Sequence, residues 1–176
     1  NNKIAFYSLG TDKKNTLTLV IKPGDKLFVE ADAKEMQNEY EVKGSYESQL
    51  VKELTVKLNE TLEKINQLGK TFHDSIGSKN FVKIKADLDS AYKIIEEEQK
   101  RFSINFIRKN QGTLASVMAL YQQMTPRKSL FMPANDYALF KEVDSVMMQT
   151  YPEADAVLSL HSLVSNFSEE YIRKVQ

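Results

Sequence analysis

Cysteine is absent from this 176-residue chain. That removes disulfides, thiol catalysis and cysteine-ligated metal from its own repertoire, without fixing its compartment. Histidine is scarce: His73 and His161 are the only two, separated by most of the second half of the sequence. Neither has a second histidine or carboxylate at ligand spacing, so they read as a helix-end residue and a surface residue rather than metal ligands. An excess of one charge is missing as well, with 24 Lys+Arg against 24 Asp+Glu. Nucleic acids and anionic membranes both favour a clear basic surplus, so neither is an expected partner on this ground. No apolar run is long enough to cross a bilayer as a helix, and the first residues lack the charged-then-apolar pattern of a signal peptide. The six glycines are scattered singly. There is accordingly no phosphate-cradling loop, no dinucleotide fingerprint and no Gly-x-Ser-x-Gly elbow.

What is present suits one ordinary domain, or a small domain with a helical extension. Hydrophobic residues make up 41% of the chain, enough for a core, and charged residues 27%, enough to coat long helices. The first 45 residues alternate with period two, as in Leu17, Leu19 and Ile21, which predicts strands over 4–9, 17–22, 26–31 and 39–43. Lys22-Pro23-Gly24-Asp25-Lys26 has proline and glycine where a type II turn needs them, and predicts a hairpin joining the middle two strands. Four short strands make a thin sheet that needs a covering layer. Its outer edge, along 4–9, is expected to be paired by another copy or by some other stretch of the chain.

From Ser45 the period changes to three and four. Leu50, Leu54, Leu58, Leu62, Ile65, Leu68 and Phe72 share one helical face, capped by Ser45 and ended by Gly77. Ser78 is the expected cap of a second long helix carrying Phe81, Ile84, Leu88, Ala91, Ile95, Phe102 and Phe106. A short connection makes the pair an antiparallel hairpin, with Leu54, Leu58, Ile65, Leu88 and Ile95 mutually packed. At 1.5 Å per residue each helix is about 40–48 Å long, more than a small domain's diameter, so part of the hairpin is expected to project or to pack against a partner. Further helices are predicted over 113–123, after a cap at Asn135 or Asp136, and after Pro152. Pro126 and Pro133 bracket an intervening loop. Strands followed by helices give an α+β class: a small antiparallel sheet or partial β-sandwich over 1–45, then a mainly helical region over 46–176.

Several eye-catching groups reduce to ordinary surface or core. Glu96-Glu97-Glu98 point about 100° apart on a helix and cannot converge, while Glu97 and Arg101 suit a surface ion pair. Residues 1–45 hold seven basic and seven acidic side chains, 46–110 twelve and ten, and 111–176 five and seven. No segment counted this way departs far from neutrality, so the charges read as solvated helix faces. Phe102, Phe106, Tyr121, Phe131, Tyr137 and Phe140 read as core before groove, and Met147-Met148 as core filling. Asn59-Glu60-Thr61 and Asn166-Phe167-Ser168 match the glycosylation pattern but fall within predicted helices. No catalytic, cofactor-binding or metal-binding residue is assigned, and no cofactor.

Three stretches together resemble a known family. Leu17 to Leu27 is similar to the "apolar strand, Pro-Gly-Asp, apolar strand" of the β domain at the front of many bacterial thioredoxin-like thiol–disulfide oxidoreductases. Tyr40-Glu41-Val42-Lys43-Gly44-Ser45 resembles that domain's exit into a long helix. Asn105 to Asn110, followed by Leu114-Ala115-Ser116-Val117-Met118-Ala119-Leu120-Tyr121, is similar to the family's later helix pair. The resemblance covers most of 16–125 and is looser beyond. It implies the non-catalytic N-terminal module of a periplasmic, lipid-anchored protein whose Cys-x-x-Cys redox domain is not in this chain. It further implies a piece of a longer protein, beginning inside the β domain and stopping near a linker after Lys174. The implied partners are that thioredoxin-like domain, protein clients or a second copy. Nucleic acid is not among them, and a membrane enters only through an anchor outside this chain. The alternative reading is an independent helical protein-interaction domain. An enzyme working without cysteine ranks last, because no convergent site appears.

Overall fold

Short strands are followed by long helices throughout. A computed structural model describes residues 3–12, 15–34, 36 and 40–175, with side chains as far as Ser168. Strands β1 (Ala5–Gly10), β2 (Thr16–Ile21), β3 (Phe28–Ala31) and β4 (Tyr40–Lys43) precede helices α1 (Tyr46–Ser75), α2 (Phe81–Lys109) and α3 (Leu114–Leu120). A small hairpin, β5 (Gln123–Thr125) with β6 (Lys128–Ser129), leads to α4 (Pro133–Thr150) and α5 (Asp155–Val175). The class is α+β. Glu39, expected at the head of the fourth strand, lies outside the described residues.

The four N-terminal strands do not form one sheet. β1 pairs antiparallel with β2, setting Phe6 opposite Val20 and Leu9 opposite Leu17, and β3 pairs separately with β4, setting Val29 opposite Val42. The Pro23-Gly24 turn forms as expected: Gly24 has φ +89° and the Asp25 amide donates to the Lys22 carbonyl at 3.1 Å. It leads from one ribbon into the other, however, and the strands on its two sides do not pair. The reason lies on the second edge of β2. There both main-chain groups of Val20 are taken by serine hydroxyls at the start of α1, so a helix end occupies the place of a third strand. The two ribbons instead stack face to face. Leu17 and Leu19 meet Tyr40, Val42 and Met36 in a small core, while Ile4 and Val20, on the opposite face, join the main helical core. Among the described residues no strand pairs with the outer edge of β1, along which Tyr7 and Leu9 are exposed.

Ser45 caps α1 as expected, accepting from the Ser48 amide at 3.2 Å. Gly44 just before it is at φ +89°, and a Cβ there would sit 2.0 Å from the Lys26 carbonyl oxygen, so only glycine fits this crossing. Helices α1 and α2, of 30 and 29 residues, are each about 45 Å long and pack antiparallel as a hairpin. Gly77 makes the turn at φ +84°. Ser78 is not the cap of α2. Asn80 holds that position, without a side-chain cap bond, and Ser78 instead closes the turn to the Ser75 carbonyl.

The hairpin is deeply buried only at its root. Leu50, Val51, Leu54, Phe106 and Ile107 lie in the main core, but between Leu62 and Glu98 only Ser75 is buried. Of the positions expected to pack together, Leu54 is fully buried, while Leu58, Ile65, Leu88 and Ile95 are half-buried. The outer part of the hairpin is therefore a two-helix arm.

Beyond the hairpin, Thr113 caps α3 through the Ser116 amide, and α3 ends sooner than the predicted 113–123. The expected loop between the prolines holds the second strand of the β5–β6 hairpin, and its Leu130 and Phe131 are buried. α4 starts at Pro133 rather than behind a cap at Asn135 or Asp136. Asp136 sits at a kink inside it, where its carboxylate accepts from the Met132 amide at 2.9 Å and meets Lys100 at 2.6 Å. Phe140, Val143 and Met147 of α4 close the core with Val157, Leu160 and Val164 of α5.

Candidate functional site

The residues densest in specific contacts lie where β2, α1, α2 and α3 meet. Ser45 Oγ donates to the Val20 carbonyl at 2.8 Å, and Ser48 Oγ does so at 2.9 Å while accepting from the Val20 amide at 2.9 Å. One turn of helix thus satisfies both groups of a residue that water cannot reach. Glu47, between the two serines, reaches in the other direction, and its carboxylate accepts from the amides of Leu114 and Ala115 at the start of α3 and from the Tyr151 hydroxyl. Burial pushes the Glu47 carboxyl above its ordinary range, opposed by those three donors and the nearby Lys22 charge. Asn110 closes α2 by donating from its side chain to the Phe106 carbonyl at 2.9 Å, and accepts from Tyr46 at 3.3 Å. The stretches that carry the family resemblance therefore converge on one hydrogen-bonded joint, although Glu47 and Leu114 are 67 residues apart in sequence.

A second polar cluster marks the place where the arm leaves the body. Thr61 of α1 donates to the Gln99 side-chain carbonyl of α2 at 2.7 Å, and Ser103 donates to that of Gln122 at 2.6 Å. Gln99 also approaches Ser103 and Gln122 with its amide nitrogen, at 3.4 and 3.3 Å. All four residues are buried, and Gln122 Nε2 has no partner. Just outward, the β5–β6 hairpin grips α2 from above: Lys128 pairs with Glu96 at 2.6 Å and lies over the Tyr92 ring.

The nearest approach to acid–base machinery is on α4 and α5. The buried Asp144 carboxylate holds His161 Nδ1 at 3.0 Å, leaving the His161 side chain about half exposed. A carboxylate-oriented imidazole is two-thirds of a nucleophilic triad, but among the described residues no serine or threonine hydroxyl is hydrogen-bonded to its other nitrogen. Among the described residues no three His, Asp or Glu side chains gather as a metal site. His73 is at the end of α1, edge-on to Phe72. Sequence reasoning placed His161 on the surface and missed its partner, since α4–α5 packing alone brings Asp144 to it.

Two clefts flank the ribbon. One, of about 420 Å³, is lined by Lys3, Ile4, Lys22, Pro23 and the Tyr151–Ala154 stretch, close to Glu47. The other, of about 290 Å³, is almost wholly apolar and lies between Phe6 and Thr18 of the ribbon, Val117, Met118 and Tyr121 of the α3 region, and α5. Of the six aromatics read as core, Phe106, Phe131 and Phe140 are buried, Phe102 and Tyr137 partly buried, and Tyr121 borders that apolar cleft. Met147 is buried and Met148 packs against the core. The Glu97–Arg101 ion pair does not form. Glu96 is the residue of the acidic run that finds a cation. Both glycosylation-like triplets lie within helices, and Thr61 is buried in the polar cluster. No protein-family model, no curated protein and no solved structure matches this chain.

Proposed function

We propose that this chain is the non-catalytic N-terminal accessory module of a periplasmic, lipid-anchored, thioredoxin-like thiol–disulfide oxidoreductase, which positions the redox domain and engages its clients. The observation that carries the reading is the joint. The three sequence stretches resembling that family meet at Val20, Ser45–Ser48, Asn110 and Leu114, where they fix a β region to a helical region. Residues used this way serve architecture, which suits a module that orients something else.

The chain supplies no thiolate, which disulfide exchange requires as its nucleophile. The purified chain is therefore expected not to reduce an insulin-type disulfide substrate, and turnover free of contaminants would sink the proposal. The coding sequence provides the other test. A reading frame that continues past Gln176 into a Cys-x-x-Cys thioredoxin-like segment supports the module. A stop codon there favours the second reading, an independent helical interaction domain, for which the projecting two-helix arm speaks.

A further inference from the structure

The balanced charge of the whole chain conceals a steep gradient along the arm. Between Lys70 and Lys85, the outer end, there are four lysines and one carboxylate, Asp74. On the shaft, counted over 57–69 and 86–100 of the two helices, seven carboxylates stand against four lysines. Lys85 is held by Asp89 at 2.7 Å, but Lys70, Lys79 and Lys83 are exposed and make no ion pair. The same end carries the most exposed aliphatic side chain among the described residues, Val82 at 82%, with Ile76 at 60%. Phe72 and Phe81, with ring centroids 5.5 Å apart, form a half-buried base beneath them.

We propose that the tip of the α1–α2 arm docks on the headgroup region of an anionic lipid bilayer. A few aliphatic side chains ringed by lysines fit that boundary: the apolar groups enter the upper acyl region while the ammonium groups stay at phosphate level. The tip is convex and narrow, which a deformable bilayer accepts. A second copy's acidic shaft is the competing surface, but near Tyr92 and Glu96 it is already covered by the β5–β6 hairpin through Lys128. The acidic shaft also keeps the arm from lying flat on a negative surface, so it stands on its tip. The proposal is independent of the redox partner, and its test leaves that reading untouched.

The experiment is co-sedimentation of the 176-residue chain with phosphatidylcholine vesicles, with and without phosphatidylglycerol, at low and high salt. Binding is expected to rise on the order of tenfold or more with phosphatidylglycerol and to fall with salt. It should be lost in both Lys79→Glu/Lys83→Glu and Ile76→Ser/Val82→Ser, and kept in Lys141→Glu, an exposed charge change on α4. These side chains are exposed, so unchanged thermal midpoints will certify the fold. Absence of binding, equal binding to both vesicles, or binding indifferent to the tip variants overturns the proposal. So does a lipid-free dimer that the same variants abolish, which would assign the tip to a second copy.

Discussion

Replacing Ser48 with alanine isolates one half of the joint between β2 and α1. Ser48 is fully buried, and its hydroxyl is the acceptor for the Val20 amide as well as a donor to the Val20 carbonyl. The carbonyl keeps Ser45 at 2.8 Å in the variant, whereas the amide keeps nothing. An unsatisfied buried donor costs about 1–3 kcal/mol. Ser45→Ala is the mirror case: the carbonyl keeps Ser48, but the α1 cap is lost, at about 0.5–2 kcal/mol. Only the double variant strips both partners from the Val20 carbonyl, so its cost should exceed the sum of the singles by a further ~1–3 kcal/mol. Urea unfolding of the four proteins measures this cycle. For a chain of this size the single changes correspond to about 2–4 °C of thermal midpoint per kcal/mol. Amide exchange adds a local reading, since Val20 N–H should lose protection in Ser48→Ala and retain it in Ser45→Ala. Singles below about 0.5 kcal/mol, or strict additivity, would mean that water rather than the serines satisfies this edge.

Gly44→Ala should be far more harmful than Gly77→Ala. Both have positive φ, worth about 1–2 kcal/mol for alanine, but only at Gly44 does the new methyl strike a backbone oxygen; chemical unfolding of the pair tests this, and equal losses would refute it. Leu54→Ala should cost about 2–5 kcal/mol and Ile95→Ala roughly half as much, following the change from full burial at the root to half burial on the arm. Thermal unfolding checks the order, and an equal or reversed order would put a third layer against the arm. Burial raises the Tyr40 hydroxyl from 10.0 to about 12. Its folded value exceeds its unfolded one, so this contribution to stability is complete below pH 10 and is lost as pH rises through 12. Tyr40→Phe should remove that part of the alkaline loss, seen in unfolding midpoints and tyrosinate absorbance across this range.

The helical half was largely legible because its punctuation is local. Ser45 caps, Gly77 turns, and Pro152 breaks, each through a few neighbouring residues. Ser78 was misread because Asn80, two positions on, competes for the same role without making a bond. The β half was legible in its strands but not in their pairing. Pro23-Gly24 specifies a turn, yet nothing nearby reveals that Ser45 and Ser48 will occupy the edge of β2 that a hairpin partner needs. Five strand residues in two pieces are too few to show period two, so the sequence reveals neither β5, whose Gln123 falls at the end of the predicted 113–123 helix, nor β6, which falls in the predicted loop. The polar cluster escaped for a similar reason. Thr61, Gln99, Ser103 and Gln122 are unremarkable on their own helices or loop and become a group only when α1, α2 and the chain after α3 pack. The tip is not legible in the net charge of 46–110, where its lysines are offset by the carboxylates of the shaft.

That buried cluster also acts as a vernier for the arm. Two long apolar faces can slide past one another by a turn, about 5.4 Å, at little cost in hydrophobic contact. Such a slip would part Thr61 from Gln99 and leave the buried Gln99 side-chain carbonyl without its donor. The five-residue connection from Ile76 to Asn80 allows no slack at the far end. The alignment of the two helices is thus gauged at the root and transmitted outward. Whatever meets Ile76 and Val82 encounters a surface whose geometry was calibrated on the order of 20 Å away.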